Sequence, residues 1–266
     1  MDNRAIGVFD SGLGGLTVIR EMGSLMPREN AVYFGDTARV PYGSKSKATI
    51  IEFSHQIMRF LLRHDVKGVI IACGTASSNA LEEMRASYDL PIIGVVEPGA
   101  RAALRATKYG RIGVLGTAAT IRSGAFERLL LKEDPSLEVT SQACPLFVPL
   151  VEEGWFSDEV TREVIRRYIK PLKENQVDTV ILGCTHYPLL RPLIQKEMGE
   201  NVTLINVSEA ATREMKEFLG QHDMEADHAA GTYDFYASDS IDQFRSFSRQ
   251  ILDITNLTVS KVSIEK

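Results

Sequence analysis

Cysteine is scarce in this sequence, a basic cluster is missing, and no hydrophobic run is long enough to cross a membrane. Three cysteines in 266 residues are few and odd in number, which argues against a disulfide framework and leaves thiols available for chemistry. The 30 Lys and Arg against 35 Asp and Glu give a net charge of -5, so we expect no nucleic-acid partner. With no signal-peptide pattern either, we expect a cytoplasmic protein that does not bind membranes.

The rest of the composition is that of an ordinary globular protein, with 44% hydrophobic and 24% charged residues. Its length suits one large domain or two of medium size. Short β-branched runs alternate with segments of helix length, which predicts βαβ units and mainly parallel sheets. The predicted strands are 6–9, 31–34, 69–72, 92–96, 112–115, 137–140, 180–183 and 202–207.

The second half of the chain repeats the pattern of the first. The strand from Ile6 corresponds to a strand from Ile112, 106 residues later, and each ends near a hydroxyl residue. Cys73 and Cys184 are 111 residues apart, and each follows the third strand of its half. The similar offsets predict the duplication of a four-strand α/β unit.

The closing segment has strand-like runs at 232–237 and 257–262, separated by a helix from about residue 239. We expect this segment to join the first half, so that both termini share one lobe. The predicted fold is therefore two similar parallel-sheet α/β lobes related by a pseudo-twofold axis, with the active site in the cleft between them. The first lobe comprises 1–97 and 208–266, and the second comprises 98–207.

Both repeated cysteines fall where such a fold binds ligands. In open parallel sheets, ligands lie beyond the carboxyl ends of the strands, where helix N-termini attract anions. If the two lobes face each other, Cys73 and Cys184 approach one ligand from opposite sides. Inversion of a tetrahedral carbon needs a base on one face and an acid on the other. A thiol with a reference pKa of about 8.5 suits both roles, so the pair predicts two-base racemisation of an amino acid.

Other polar residues near the strand ends are candidates to assist the two thiols. Asp10 closes the first strand and His186 follows Cys184 by two residues, so each cysteine has a possible proton partner. Hydroxyls and backbone amides for the carboxylates of a substrate would come from Ser11, Tyr42, Gly43, Thr75 and Thr185.

Several other interpretations remain open at this point. Cys144 has no counterpart in the repeat and is interpreted as a core residue. Cys184 with His186 could belong to a zinc site, although no second Cys/His pair accompanies them, or to a cysteine hydrolase, which would not need Cys73. Gly12-Leu13-Gly14 with Asp36 imitates a dinucleotide fingerprint, but its third glycine position is Thr17.

Five segments of the chain, with further matches at 98–101 and 144–146, resemble the glutamate racemases of the aspartate/glutamate racemase family. They read DSGLGGLT at 10–17, GDT with PYG at 35–37 and 41–43, ACGTAS at 72–77, and LGCTHYP at 182–188. The resemblance runs through most of the chain. It implies a two-domain enzyme, free of metal and of pyridoxal phosphate, that makes D-glutamate for peptidoglycan, and it implies a homodimer. Racemisation of aspartate or of another amino acid is the nearest alternative.

The resemblance also assigns roles to residues. Cys73 would take the α-proton of D-glutamate and Cys184 that of L-glutamate. Glu152 corresponds to a further acidic residue of the family, with Glu153 beside it. The first strand follows the N-terminus closely, without the long extension associated with activation by a cell-wall nucleotide precursor, so we expect activity without such an activator.

One position departs from the family pattern. Gly74 stands where the family usually has Asn, so a side-chain amide that would contact the substrate is missing. The backbone amide of Gly74 remains a candidate substrate ligand. We expect Ser77, Ser78 or Asn79 to compensate for the lost side chain, and the substitution Gly74→Asn to be tolerated.

Overall fold

The computed structural model describes residues 1–252 and 257–264 of the chain. Its strands form two sheets, and every strand pair is parallel. The first sheet contains β1 (Ile6–Asp10), β2 (Ala31–Gly35), β3 (Gly68–Ile71), β4 (Ile92–Gly94), β9 (Tyr233–Ala237) and β10 (Val259–Lys261). The second sheet contains β5 (Arg111–Gly116), β6 (Glu138–Ala143), β7 (Thr179–Leu182) and β8 (Thr203–Asn206). The predicted architecture of two parallel α/β lobes is confirmed.

The two sheets share one strand order. The first runs β10-β9-β2-β1-β3-β4 and the second runs β6-β5-β7-β8, so β2-β1-β3-β4 in one matches β6-β5-β7-β8 in the other. In each lobe the strand that precedes the cysteine, β3 or β7, lies beside the first strand of the repeat, β1 or β5. The closing segment extends the first sheet, because β9 pairs with β2.

The helices lie between the strands in sequence. They are α1 (Leu16–Leu25), α2 (Lys47–Leu62), α3 (Gly74–Ser87), α4 (Val96–Ala106), α5 (Ala118–Ser123), α6 (Ala125–Glu133), α7 (Phe147–Glu152), α8 (Glu159–Glu174), α9 (Arg191–Met198), α10 (Val207–Gln221) and α11 (Ile241–Leu252). Both predicted lobe boundaries fall at helices, α4 and α10, which pack against each other. The boundary residues therefore stay a prediction. Within the described ranges, no helix is long and apolar enough to cross a membrane.

Two strands are shorter than their apolar runs predict, because the valines at the end of each run belong to the start of the following helix. Val95 takes helical backbone angles, φ -82° and ψ -14°, and α4 begins at Val96 with Glu97 in its first turn. The predicted strand 92–96 therefore ends at Gly94. Likewise Asn206 caps α10, its side chain accepting a hydrogen bond from the backbone N–H of Ser208, so that β8 ends before Val207.

The central strands are buried on both faces. All five residues of β1 and all four of β3 are buried, as expected for parallel strands covered by helices on each side. Such strands have continuous apolar sequences, and their burial fixes the orientation of the segment that follows each of them. The loops beyond β1, β3, β5 and β7 are consequently held in place by the two cores.

Candidate active site

A cavity of about 680 Å³ lies between the lobes, beyond the carboxyl ends of β1, β3, β5 and β7. The structure brings into its lining all the residues proposed from sequence for catalysis and for direct binding of the substrate. From the first lobe these are Asp10, Ser11, Tyr42, Gly43, Cys73, Gly74 and Thr75, and from the second Glu152, Cys184, Thr185 and His186. The cavity thus carries one repeated thiol from each lobe.

Cys73 caps the N-terminus of α3 and is 6% exposed. Its thiol donates to the Ser11 hydroxyl at 3.3 Å, and the Ala76 backbone N–H points at its sulfur at 3.5 Å. Burial and the nearby Asp10 charge raise the pKa of Cys73 to about 12, against the lowering effect of those two hydrogen bonds. At neutral pH Cys73 is therefore a protonated thiol and a potential proton donor.

Asp10 is buried at the end of β1 and connects the lobes. One of its carboxylate oxygens accepts from the Gly12 backbone N–H at 3.0 Å, and the other faces the Thr185 hydroxyl of the second lobe at 3.5 Å. Burial raises the pKa of Asp10, while the nearby His186 and the backbone N–H of Gly12 oppose that rise. Asp10 is therefore close to Cys73 in the first lobe and to Thr185 and His186 in the second.

Cys184 belongs to a chain of three ionisable groups. Its sulfur lies 3.8 Å from Nδ1 of His186, whose Nε2 lies 3.1 Å from a carboxylate oxygen of Glu152. Burial lowers the pKa of His186, but hydrogen bonds to Cys184 and Glu152 outweigh it and raise the pKa to about 10. His186 is therefore a cation at neutral pH, placed where a thiolate on Cys184 would need a counter-charge.

The Tyr42 hydroxyl is bound within the protein. It donates to Asp36, which is fully buried and also binds Arg39 and Ser238. These contacts occupy Asp36, which leaves it no role in binding a ribose and removes the basis for the dinucleotide interpretation. Tyr42 and Gly43 both line the cavity.

Thr117 is a cavity residue that the sequence analysis missed. Its hydroxyl lies 2.9 Å from the hydroxyl of Thr75, which forms a hydrogen bond across the cleft, and it caps α5 by accepting from the Thr120 backbone N–H. Thr117 is the counterpart of Ser11 in the repeat, so the duplication contained the signal that could have found it. Arg122 and Cys144 also line the cavity, and no sequence pattern singled out Arg122. Cys144 is fully buried, in agreement with its interpretation as a core residue.

The expected compensation for Gly74 is wrong. Each proposed side chain is hydrogen-bonded to a backbone group of the protein. Ser77 accepts from the Val96 N–H, Ser78 donates to the Gly74 carbonyl, and Asn79 donates to the Thr75 carbonyl. None of the three lines the cavity.

The expected tolerance of Gly74→Asn is also contradicted. A Cβ at Gly74 would overlap the carbonyl oxygen of Gly183 in the other lobe and lie 3.6 Å from the Cα of Cys184. The overlapping atom belongs to the backbone, so it cannot rotate away. Gly74 is therefore a point of direct contact between the lobes, immediately beside both repeated cysteines.

The part of the chain that the structure describes contains no ready-made set of ligands for a metal ion. No group of three His, Cys, Asp or Glu side chains there is arranged to hold a metal ion. Cys184 and His186 therefore lack the further ligands of a zinc site.

Comparisons with known proteins agree with this architecture. The family model for Asp/Glu/hydantoin racemases matches residues 6–215. A glutamate racemase of Geobacter metallireducens is 46% identical over 237 residues, covering 89% of this chain and 88% of that protein. The crystal structure of a glutamate racemase isoform from Bacillus anthracis superposes with a TM-score of 0.96, at 36% identity, over 99% of this chain and 98% of that one. The glutamate racemase of Francisella tularensis, solved in complex with D-glutamate, has a TM-score of 0.93 at 36% identity, over 100% and 99% of the two chains. This chain belongs to the Asp/Glu/hydantoin racemase family, a family of isomerases.

Proposed function

We propose that the protein is a glutamate racemase that interconverts L- and D-glutamate with two cysteines and no cofactor. The observation that carries the proposal is the pair Cys73 and Cys184, which line one cavity from opposite lobes with different proton partners. A single thiol would return the proton to the face it left. Two thiols facing one substrate allow removal on one face and delivery on the other.

In the reaction of L-glutamate we assign Cys184 as the base and Cys73 as the acid. The sulfur of Cys184, beside the His186 cation, takes the α-proton from one face, and the C–H electron pair remains on the α-carbon. The Cys73 thiol, held protonated by burial, then donates its proton to the opposite face. D-glutamate reacts with the reverse protonation, after Cys73 has lost its proton and Cys184 has gained one.

Carboxylates of the substrate would be held by backbone amides at the start of α3. Gly74 and Thr75 line the cavity in the first turn of this 14-residue helix, where backbone N–H groups lack partners within the helix. The amides of the Tyr42–Gly43 segment and the Ser11 hydroxyl complete the donors proposed from the first lobe. This set replaces the side-chain amide that the family usually has after the first cysteine.

Three finer features belong to the same proposal and rest on the family resemblance: action in the cytoplasm, supply of D-glutamate for peptidoglycan, and assembly as a homodimer. Light scattering of the purified protein tests the dimer, and a mass of one chain would contradict it. Rescue of a D-glutamate auxotroph by the gene tests the supply role.

Turnover by stripped protein tests the proposal directly. Protein treated with a chelator and with hydroxylamine, to remove metal and pyridoxal phosphate, should racemise either enantiomer of glutamate, as detected by chiral chromatography. Aspartate and alanine run beside it define the selectivity. Equal or faster turnover of aspartate would contradict the substrate assignment, and a requirement for added metal or pyridoxal phosphate would contradict the mechanism.

One observation favours a second candidate, a cysteine hydrolase. Cys184, His186 and Glu152 form a chain with separations of 3.8 and 3.1 Å, the order of nucleophile, base and orienting carboxylate. A hydrolase of that kind would keep its activity in Cys73→Ala. A racemase would lose all turnover in that variant, so one substitution separates the two.

A further inference from the structure

The turn between β1 and α1 in the first lobe packs against the His186 segment of the second. A Cβ placed on Gly14 would lie 2.6 Å from Cε1 of His186 and 2.6 Å from the Thr185 hydroxyl, and closer still to Nδ1 of His186. Side-chain carbons do not approach other atoms so closely. Only glycine at this position therefore lets the imidazole lie where it does.

The imidazole cannot move aside without losing a partner. The Nδ1 that approaches Gly14 is the same atom that faces the Cys184 sulfur, and Nε2 on the opposite edge is hydrogen-bonded to Glu152. His186 is 5% exposed and is enclosed on these sides. A substituent at Gly14 would consequently push the ring away from Cys184 or Glu152.

Thr17 forms hydrogen bonds to both lobes at the same junction. Its fully buried hydroxyl lies 2.8 Å from the Gly14 carbonyl, 3.1 Å from the Thr185 carbonyl and 2.8 Å from the Ser208 hydroxyl. Ser208 can donate to Thr17, which leaves the Thr17 proton for the two carbonyls. One side chain thus ties the glycine turn of the first lobe to the residue between Cys184 and His186.

We propose that Gly14 and Thr17 are positioning residues that seat His186 against Cys184, so that the first lobe governs proton transfer at the thiol of the second. This inference rests on the proposed function. Neither residue contacts the substrate cavity. The nearest atoms to a Gly14 Cβ all belong to Thr185 and His186, while Cys73 has its own partners in Ser11 and Ala76. Substitution of Gly14 or Thr17 should therefore slow the proton transfer at Cys184 rather than the one at Cys73.

Isotope effects can show which of the two proton transfers is slowed. Because the two enantiomers have equal free energies, kcat/KM is the same in both directions, and this ratio alone cannot reveal an asymmetry. The α-deuterium of L-glutamate is removed by Cys184, and that of D-glutamate by Cys73. If Gly14→Ala slows the Cys184 step, the primary isotope effect should rise with L-[2-²H]glutamate and fall with D-[2-²H]glutamate.

The main test is Gly14→Ala measured with both deuterated enantiomers. We expect turnover to fall by roughly 10²-fold, the scale of an ångström-sized displacement of a reacting group, with the asymmetry just described. Gly23→Ala is the matched control in the same region, because a Cβ there would meet only the Tyr233 hydroxyl at 3.6 Å. It should keep the rates and isotope effects of the parent enzyme. Equal isotope changes in both directions, or parental turnover in Gly14→Ala, would overturn the proposal.

A second pair of variants covers the case in which Gly14→Ala does not fold. Thr17→Val keeps the shape of the side chain but removes the hydroxyl, and Thr17→Ser keeps the hydroxyl. The valine variant should show the same asymmetry in weaker form, and the serine variant should restore the parental pattern. A loss of turnover in both variants, or in neither, would assign Thr17 to packing alone. If the parent enzyme itself does not turn over glutamate, the proposed function fails instead, and the two failures are thus distinguishable.

A double-mutant comparison tests the dependence on His186. In a His186→Asn background, the additional loss caused by Gly14→Ala should be clearly smaller than in the parent, because the ring that the methyl group displaces is gone. An equal loss in both backgrounds would show that Gly14 acts on something other than His186 and would overturn the inference.

Discussion

Nε2 of His186 lies 3.1 Å from Oε1 of Glu152, although the two residues are 34 positions apart in sequence. Glu153 also lines the cavity, but among the described residues the contact to His186 is made by Glu152. Glu152 thus lines the cavity and is also linked to Cys184 through the imidazole of His186.

Replacing Glu152 with Gln should shift the pH dependence of turnover. Burial disfavours the His186 cation, and Glu152 is one of the two partners that raise its pKa to about 10. Without that charge the pKa of His186 falls, so the cation is lost at lower pH and the alkaline limb of the kcat profile should move to lower pH. Glu153→Gln is the matched control. An unchanged alkaline limb in Glu152→Gln would show that another group sets it.

The same raised pKa makes the stability of the folded protein depend on pH. His186 binds its proton more tightly when folded, with a pKa of about 10, than when unfolded, with a reference value of 6.5. The stabilisation from protonated His186 is thus complete below about pH 6.5 and is lost as pH rises towards 10. Urea unfolding should show that the free energy of unfolding declines over this window more in the parent than in His186→Asn. Parallel curves for the two proteins would contradict the assignment.

Alanine at either Cys73 or Cys184 should abolish racemisation in both directions, because each turnover needs one base and one acid. Serine should leave part of the reaction, since a hydroxyl is a poor base but can donate a proton. In deuterated solvent, Cys73→Ser should exchange the α-proton of L-glutamate and Cys184→Ser that of D-glutamate, as followed by NMR. Substantial racemisation by Cys73→Ala would show that a single thiol or another base suffices.

Gly74→Ala and Gly74→Asn should both lower turnover, in contrast to what the sequence predicts. Even the Cβ of alanine would overlap the Gly183 carbonyl oxygen, so the lobes must separate beside both thiols. Displacement of a reacting group on this scale costs roughly 10²-fold in rate. Gly220→Ala is a suitable control, because a Cβ there has no neighbour closer than 3.9 Å. Parental kcat in Gly74→Ala would show that the lobes accommodate the methyl group freely.

Tyr42→Phe should destabilise the fold. It removes the hydroxyl that donates to the fully buried Asp36, and a buried carboxylate that loses a hydrogen bond costs about 1–3 kcal/mol. Tyr109→Phe, at a residue 78% exposed, should change the free energy of unfolding little. If Tyr42→Phe leaves stability unchanged but raises KM, the hydroxyl serves the substrate after all.

Much of this molecule follows from local sequence patterns. Strand and helix periodicity depends on neighbouring residues, so the parallel lobes and the strand-end positions of Cys73 and Cys184 could be predicted directly. The duplication added the expectation of one thiol per lobe. The strand ends were predicted less well, because an apolar residue near a helix start can belong to either element. Val95 and Val207 were predicted in strands but lie at the starts of α4 and α10.

Only the tertiary structure decided which groups touch across the cleft. Gly14 against His186, Thr75 against Thr117 and Gly74 against Gly183 each join residues from different lobes. The sequence predicted most members of the site but not these pairings, and at Gly74 it predicted the wrong outcome. No periodic pattern encodes them, because they depend on how closely two separately formed cores approach each other. That distance is set by packing at a few points where a missing Cβ or a single hydroxyl decides the fit.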